Sequence, residues 1–234
     1  MNFTMRSLSW RVSAVLYKYS YIKIARQLDD DLFAFLGDNT QGMIVADCGC
    51  GPGRTIDEFL SRGAKRVFAI DGNLSMLRQV KNLLPEAVIS GKVIPFHSRF
   101  NPKMFLHILE RHPDYDGFDL ILFKRSLYGP SVQSIALLKA SISSLNQGGM
   151  VVVIHPERSL RKYAFGTRLK VEPYTLYHLV NRFSSVLGQK LRLGDYQIYF
   201  KEDLIALMRI AASGNSIEVI PSKQSAYNLV VIHA

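Results

Sequence analysis

The stretch "VADCGCGPGRT" (residues 45–55) sets an aspartate, Asp47, ahead of glycines at 49, 51 and 53. Glycine costs about 0.5–1 kcal/mol inside a regular element, so three at alternate positions signal a backbone that something approaches closely. The pattern is not the G-x-G-x-x-G of dinucleotide binders, because Arg54 stands three residues after Gly51. It also lacks the G-K-[ST] ending of a phosphate-cradling P-loop. A second acid, Asp71, closes the next apolar run, "RVFAID", 22 residues after Gly49. A carboxylate there can accept hydrogen bonds from both hydroxyls of a ribose. Loop and acid together point to a nucleoside rather than a pyrophosphate.

Other reactive side chains are sparse. Cys48 and Cys50 are the only cysteines. One residue apart and without a third, they make neither a structural zinc site nor a disulfide framework. They read as small residues packing at a strand end. The formal net charge is +10, with five basic residues in "RSLRKYAFGTRLK" (158–170). That charge suits nucleic acid, a membrane surface or an anionic substrate, and equally a solvated loop.

These residues need a scaffold, and apolar periodicity supplies one. Helical spacing covers about 12–37, and "MIVAD" (43–47) reads as a short buried strand. "GRTIDEFLSRG" is a helix closed by Gly63, "RVFAID" a second strand, and Asn73 caps the helix after it. "KVIPF" (92–96) is a third strand that Pro95 places at an edge. "FDLILF" (118–123) and "MVVVIH" (150–155) are continuous apolar strands, buried on both faces. Gly148 and Gly149 read as the turn into the latter. Helices fall at 103–112, 132–145, 174–187 and 201–213, and the last two strands, 216–223 and 226–234, are closely joined and so antiparallel. The expectation is an α/β fold with a Rossmann-like, doubly wound, seven-stranded sheet, mostly parallel with an antiparallel last strand. One domain spans 1–234, with an N-terminal helical cover over 1–40 and a helical lid inserted over 156–198. The charged, tyrosine-bearing start does not read as a signal peptide, and no apolar run reaches the ~18 residues of a membrane span. A soluble cytoplasmic protein is expected, with no membrane partner; the sequence does not set its oligomeric state.

The chain resembles the class I S-adenosylmethionine-dependent methyltransferases. "VADCGCGPGRT" is similar to their first motif and "VFAIDGNLSML" to the segment after it. "YDGFDLILFKRSLYG" resembles the fourth-strand motif, "LNQGGMVVVIHPE" the fifth, and "YFKEDLIALMRIAASGNSIEVI" the late helix and sixth strand. The resemblance spans roughly 43–155 and 199–234. It implies S-adenosylmethionine as cofactor. Gly49, Gly51 and Gly53 would pass under its methionine part, Asp47 would help hold the amino group, and Asp71 would take the ribose. Where the family often has an acid after strand three, this chain has Ser98, able to accept from the adenine amine, and Phe100, able to lie on the purine. Lys124, Tyr21 and Arg26 join the cofactor-binding set, Arg26 (or Lys23) toward the methionine carboxylate.

Methyl transfer from a sulfonium is a displacement, so alignment and water exclusion dominate, and a base is needed only if the acceptor must lose a proton. No [DN]-P-P-[FY] follows strand four, no cysteine lies beyond 50, and strand four ends in Lys124 rather than an acid. These facts argue against amino-methylation of adenine in DNA, cytosine C5 chemistry and a magnesium-dependent catechol site; no metal is expected. His155, with a near-neutral ordinary pKa, and Tyr128 remain as catalytic candidates. Tyr174, Tyr177 and His178 in the lid are expected to line the acceptor pocket. The expected reaction is methyl transfer to O, N or C of a small molecule. The alternatives are RNA methylation, cyclisation of the cofactor with release of methylthioadenosine, and a non-catalytic cofactor-binding subunit.

Overall fold

Strands and helices alternate along the chain. A helix at 28–36 (α1) precedes β1 (Ile44–Cys48), α2 (Arg54–Ser61), β2 (Arg66–Asp71), α3 (Leu74–Leu83), the short α4 (Pro85–Ile89) and β3 (Val93–His97). Then come α5 (Met104–Arg111), β4 (Phe118–Lys124), α6 (Ser131–Ile142), β5 (Leu145–Pro156), α7 (Lys201–Ala212), β6 (Ser216–Pro221) and β7 (Tyr227–His233). The computed structural model describes residues 28–37, 39–127, 131–156, 201–221 and 227–234. The expected lid and most of the expected N-terminal cover lie outside these residues.

The seven strands form one sheet in the order β3-β2-β1-β4-β5-β7-β6. Strands β1 to β5 pair in parallel, while β7 runs antiparallel to both β5 and β6. The expected architecture is therefore observed. Strand order reverses between β1 and β4, which is where open α/β sheets bind ligands. Pro95 sits in β3 at the sheet edge, where its missing N–H costs no ladder bond.

Alternation along the buried strands feeds two cores, one per face. Ala46, Ile70, Phe123, Val153 and Val230 meet Phe105 of α5, Leu138 of α6 and Met208 of α7. Val45, Ala69, Leu122, Ile154 and Val231 meet Leu32 of α1, Phe59 of α2 and Val80 of α3. Phe68 is fully buried and meets Phe118 edge-on at 5.5 Å. Truncating such a ring costs about 3–5 kcal/mol. At the amino ends of the strands Asp119 accepts from the Ile44 N–H at 2.7 Å and from the Asn146 amide at 2.7 Å, tying β1, β4 and β5 together.

Two details differ from the sequence reading. β5 begins at Leu145, so Gly148 and Gly149 lie within it rather than in a turn before it. The register shifts between Phe118 and Leu120, an irregularity that takes up extra residues of β5, and Gly148 adopts φ 76° there. The α4 turn was not expected; Pro85 at its first position starts it.

Candidate functional site

The loop after β1 meets the switch point directly. Gly49, Gly51 and Gly53 all take positive φ, at 81°, 55° and 92°. Gly49 and Cys50 both donate their N–H groups to the Ile70 carbonyl, at 2.8 and 3.1 Å, which folds the loop back on β2. A Cβ on Gly49 would overlap the Ser126 side chain and lie 3.5 Å from Phe100 Cζ. The Ser126 hydroxyl donates to the Cys48 carbonyl, so the loops after β1 and β4 are joined. Phe100 in turn meets Phe123 edge-on at 5.9 Å.

Asp71 is set at the end of β2 as expected. Its carboxylate accepts the Gly51 N–H at 3.1 Å and the Asn73 N–H at 2.8 Å. Asn73 caps α3 by accepting the Ser75 N–H at 2.9 Å, fixing the turn that carries Asp71. Burial raises the Asp71 pKa, against the backbone bonds from Asn73 and Gly51 and the nearby His97. A carboxylate oxygen accepts more than one hydrogen bond, so capacity for hydroxyl donors remains. Beside it, Ser98 donates its hydroxyl to the Arg99 carbonyl at 2.9 Å, leaving its oxygen able to accept.

Asp47 stands apart. It is 1% exposed, and neither carboxylate oxygen has a hydrogen-bond partner. Burial pushes its pKa up to about 7; Lys124 pulls it down, and Asp29 and Asp71 push it further up. Unpaired buried carboxylates are expensive, so one that persists at a ligand-binding edge is suited to a cationic ligand group.

Lys124, expected in the cofactor-binding set, contacts two protein side chains. Its ammonium pairs with Asp29 at 2.5 Å and also donates to the Thr55 hydroxyl, which itself donates to Asp29 at 3.0 Å. The cluster ties β4 to α1 and α2 behind Asp47. Three carboxylates (Asp29, Asp47 and Asp71) thus share this region with one ammonium. Sequence reading passed over Asp29, Thr55 and Ser126. The acidic run Asp29–Asp31 in a basic chain was the one available signal.

The two cysteines are free and buried, and burial pushes both thiols well up. They enter opposite cores, Cys48 with Ala46 and Cys50 with Val45, as residues that pack rather than react. No group of three or more metal-ligating side chains occurs among the described residues. No helix among them is long and apolar enough to cross a membrane. An open groove of about 570 Å³ between α1 and α2, bordered by Arg54, Asp57 and Arg62, shares only Asp29 with the site.

His155 lies on β5, paired in register with Asn228 of β7. Tyr21, Arg26, Tyr128, Tyr174, Tyr177 and His178 lie outside the described residues.

Neither a protein-family profile nor a curated protein sequence matches the chain. Solved structures do. An O-methyltransferase family protein from Burkholderia thailandensis superposes with TM-score 0.60 at 11% identity, covering 90% of this chain and 56% of its own. Magnesium protoporphyrin IX methyltransferase from Synechocystis PCC 6803, with bound S-adenosylhomocysteine, gives 0.62 at 14% identity, covering 98% and 94%. A putative rRNA-methylase from Clostridium thermocellum gives 0.52 at 14%, covering 82% and 87%. The chain spans 54–56% of the length of four of the structures it resembles. The sheet order, the glycine loop at the switch point and these superpositions agree: the chain has the fold of the class I S-adenosylmethionine-dependent methyltransferases.

Proposed function

We propose that the protein binds S-adenosylmethionine and transfers its methyl group to a small-molecule acceptor. The observation that carries this reading is the buried, unpaired carboxylate of Asp47 beside the glycine loop. It matches the amino group of a methionine moiety in charge and in hydrogen bonding. Asp71, on the neighbouring strand, would hold the ribose, and Gly49 to Gly53 would give the cofactor's tail close backbone approach. Ser98 and Phe100 are the proposed adenine contacts. When bound, the cofactor supplies a methyl group on a positively charged sulfur.

Lys124 is assigned a supporting part: paired with Asp29 and Thr55, it lowers the cost of keeping Asp47 ionised. Tyr21 and Arg26 at the cofactor, and Tyr128, Tyr174, Tyr177 and His178 at the acceptor, are proposed on the sequence alone. His155, one residue before the end of β5, is the proposed base for an acceptor that must lose a proton. In support, solved structures of the same fold include a mitomycin 7-O-methyltransferase and the magnesium protoporphyrin IX methyltransferase. An RNA acceptor is the rival, supported by the net charge of +10 and by the likeness to the putative rRNA-methylase.

The test is product analysis with methyl-labelled S-adenosylmethionine. The expected result is S-adenosylhomocysteine released only when a small-molecule extract is added, with label in that extract. Label in one RNA species at physiological salt would favour the rival. Methylthioadenosine released without any acceptor would show cyclisation of the cofactor instead.

A further inference from the structure

Besides Asp47, one other side chain among the described residues is both nearly fully buried and wholly unpaired. Asn228 is 2% exposed, and neither its amide oxygen nor its amide nitrogen has a hydrogen-bond partner. It is the second residue of β7 and directly precedes an apolar run: Leu229, Val230, Val231 and Ile232 all enter the cores. A valine there would fit the same strand at no desolvation cost, since each buried unmade hydrogen bond is unfavourable.

Its position in the sheet gives the amide a purpose. β7 runs antiparallel to β5, so the start of β7 lies at the carboxyl edge of the parallel strands. Lys124 is level with Ile154, and Ile154 with Leu229, so Asn228 stands one residue further toward that edge, opposite His155. Two strand spacings, about 10 Å, separate it from β4 and the switch point. By alternation it shares the sheet face of Val230, in the core layer that Phe123 enters and Phe100 packs against. Asp47 and Asn228 are thus two unpaired polar groups on one edge of the sheet, on either side of β4. One is an anion suited to a cation; the other is a neutral donor–acceptor.

We infer that Asn228 is a specificity-determining residue that binds the methyl acceptor; this rests on the methyltransferase reading. A primary amide presents an acceptor and donors side by side. It therefore selects an acceptor molecule with the complementary pair, such as a lactam edge or a hydroxyl beside a carbonyl. A bare carboxylate or phosphate would use only the amide N–H groups and leave the amide oxygen unpaired.

The experiment compares wild type with Asn228→Val, close in volume, and Asn228→Leu, which keeps the branch at Cγ. Each is measured for thermal unfolding, for S-adenosylhomocysteine binding, and for transfer of label from methyl-labelled S-adenosylmethionine to a small-molecule extract. The expected result for at least one variant is a melting temperature raised by about 2–4 °C, unchanged S-adenosylhomocysteine affinity, and transfer reduced at least about tenfold. Undiminished transfer would overturn the inference. So would lowered melting in both variants, which would show the amide in structural use. Wild-type protein that does not bind S-adenosylhomocysteine would contradict the methyltransferase reading itself, and the melting comparison does not depend on that result.

Discussion

Replacing Asp47 with asparagine should stabilise the protein, and more so as pH rises. In the folded chain the Asp47 carboxyl keeps its proton up to about 7, against an ordinary value of 3.8. The unfolded chain has lost that proton over the same range, so folding works against ionisation. The native state bears no such cost below about pH 4, loses stability as pH rises from there, and bears the full cost above about pH 7. About three pKa units at ~1.4 kcal/mol each amount to about 4 kcal/mol. Asparagine cannot ionise, so the gap between variant and wild type should widen by about 3 kcal/mol between pH 5 and pH 8. For a chain of this size that is about 6–12 °C in melting temperature, read by thermal unfolding in the two buffers. The ligand should reverse the sign. An ammonium bound at Asp47 requires the carboxylate, so wild-type affinity for S-adenosylhomocysteine should fall about tenfold per pH unit below about 7. The asparagine variant should bind weakly throughout. An equal melting difference at both pH values would refute the account of Asp47 as a buried, unpaired acid.

Two further outcomes follow from the loop and the cluster behind it. Gly49→Ala should cost about 2–3 kcal/mol, because positive φ and overlap with Ser126 act together; Gly148→Ala, at similar φ but with open space around it, should cost about 1 kcal/mol, and denaturant unfolding of the pair separates the two effects. Lys124→Met should cost about 3 kcal/mol by stranding Asp29, and the added Asp29→Asn should restore part of it; the single variant should also move the pH threshold for S-adenosylhomocysteine binding upward, because Lys124 holds the Asp47 pKa down.

The parts of this protein that the sequence made readable are those encoded locally. The runs "LILF" and "VVVI" within "FDLILF" and "MVVVIH" announce strands buried on both faces, because successive residues there must all be apolar. The glycine loop was legible because positive φ leaves few choices of residue, and Asp71 because a polar group interrupts the end of an apolar run. Pro95 marked its own edge strand. The remaining features are long-range. Lys124 and Asp29 are 95 residues apart, and nothing near either one names the other. Asn228 sits in "AYNLVVIHA" as one polar residue directly before the apolar run "LVVI". Its importance shows only when the register sets it opposite His155 and burial leaves it unpaired. Gly148 and Gly149 suggested a turn because glycine pairs usually do; in the sheet they serve an irregular pairing of β5 with β4.

In the proposed complex the glycine loop passes under the methionine part of the cofactor and Asp71 holds its ribose. This arrangement is tested most directly by calorimetric titration of S-adenosylhomocysteine into wild type and Asp71→Ala at about pH 8. The account predicts that wild type binds and that the folded variant binds at least about tenfold more weakly, because two hydrogen bonds from the ribose to a carboxylate are lost. Equal affinity in a folded Asp71→Ala protein, or no binding by wild type, would contradict it.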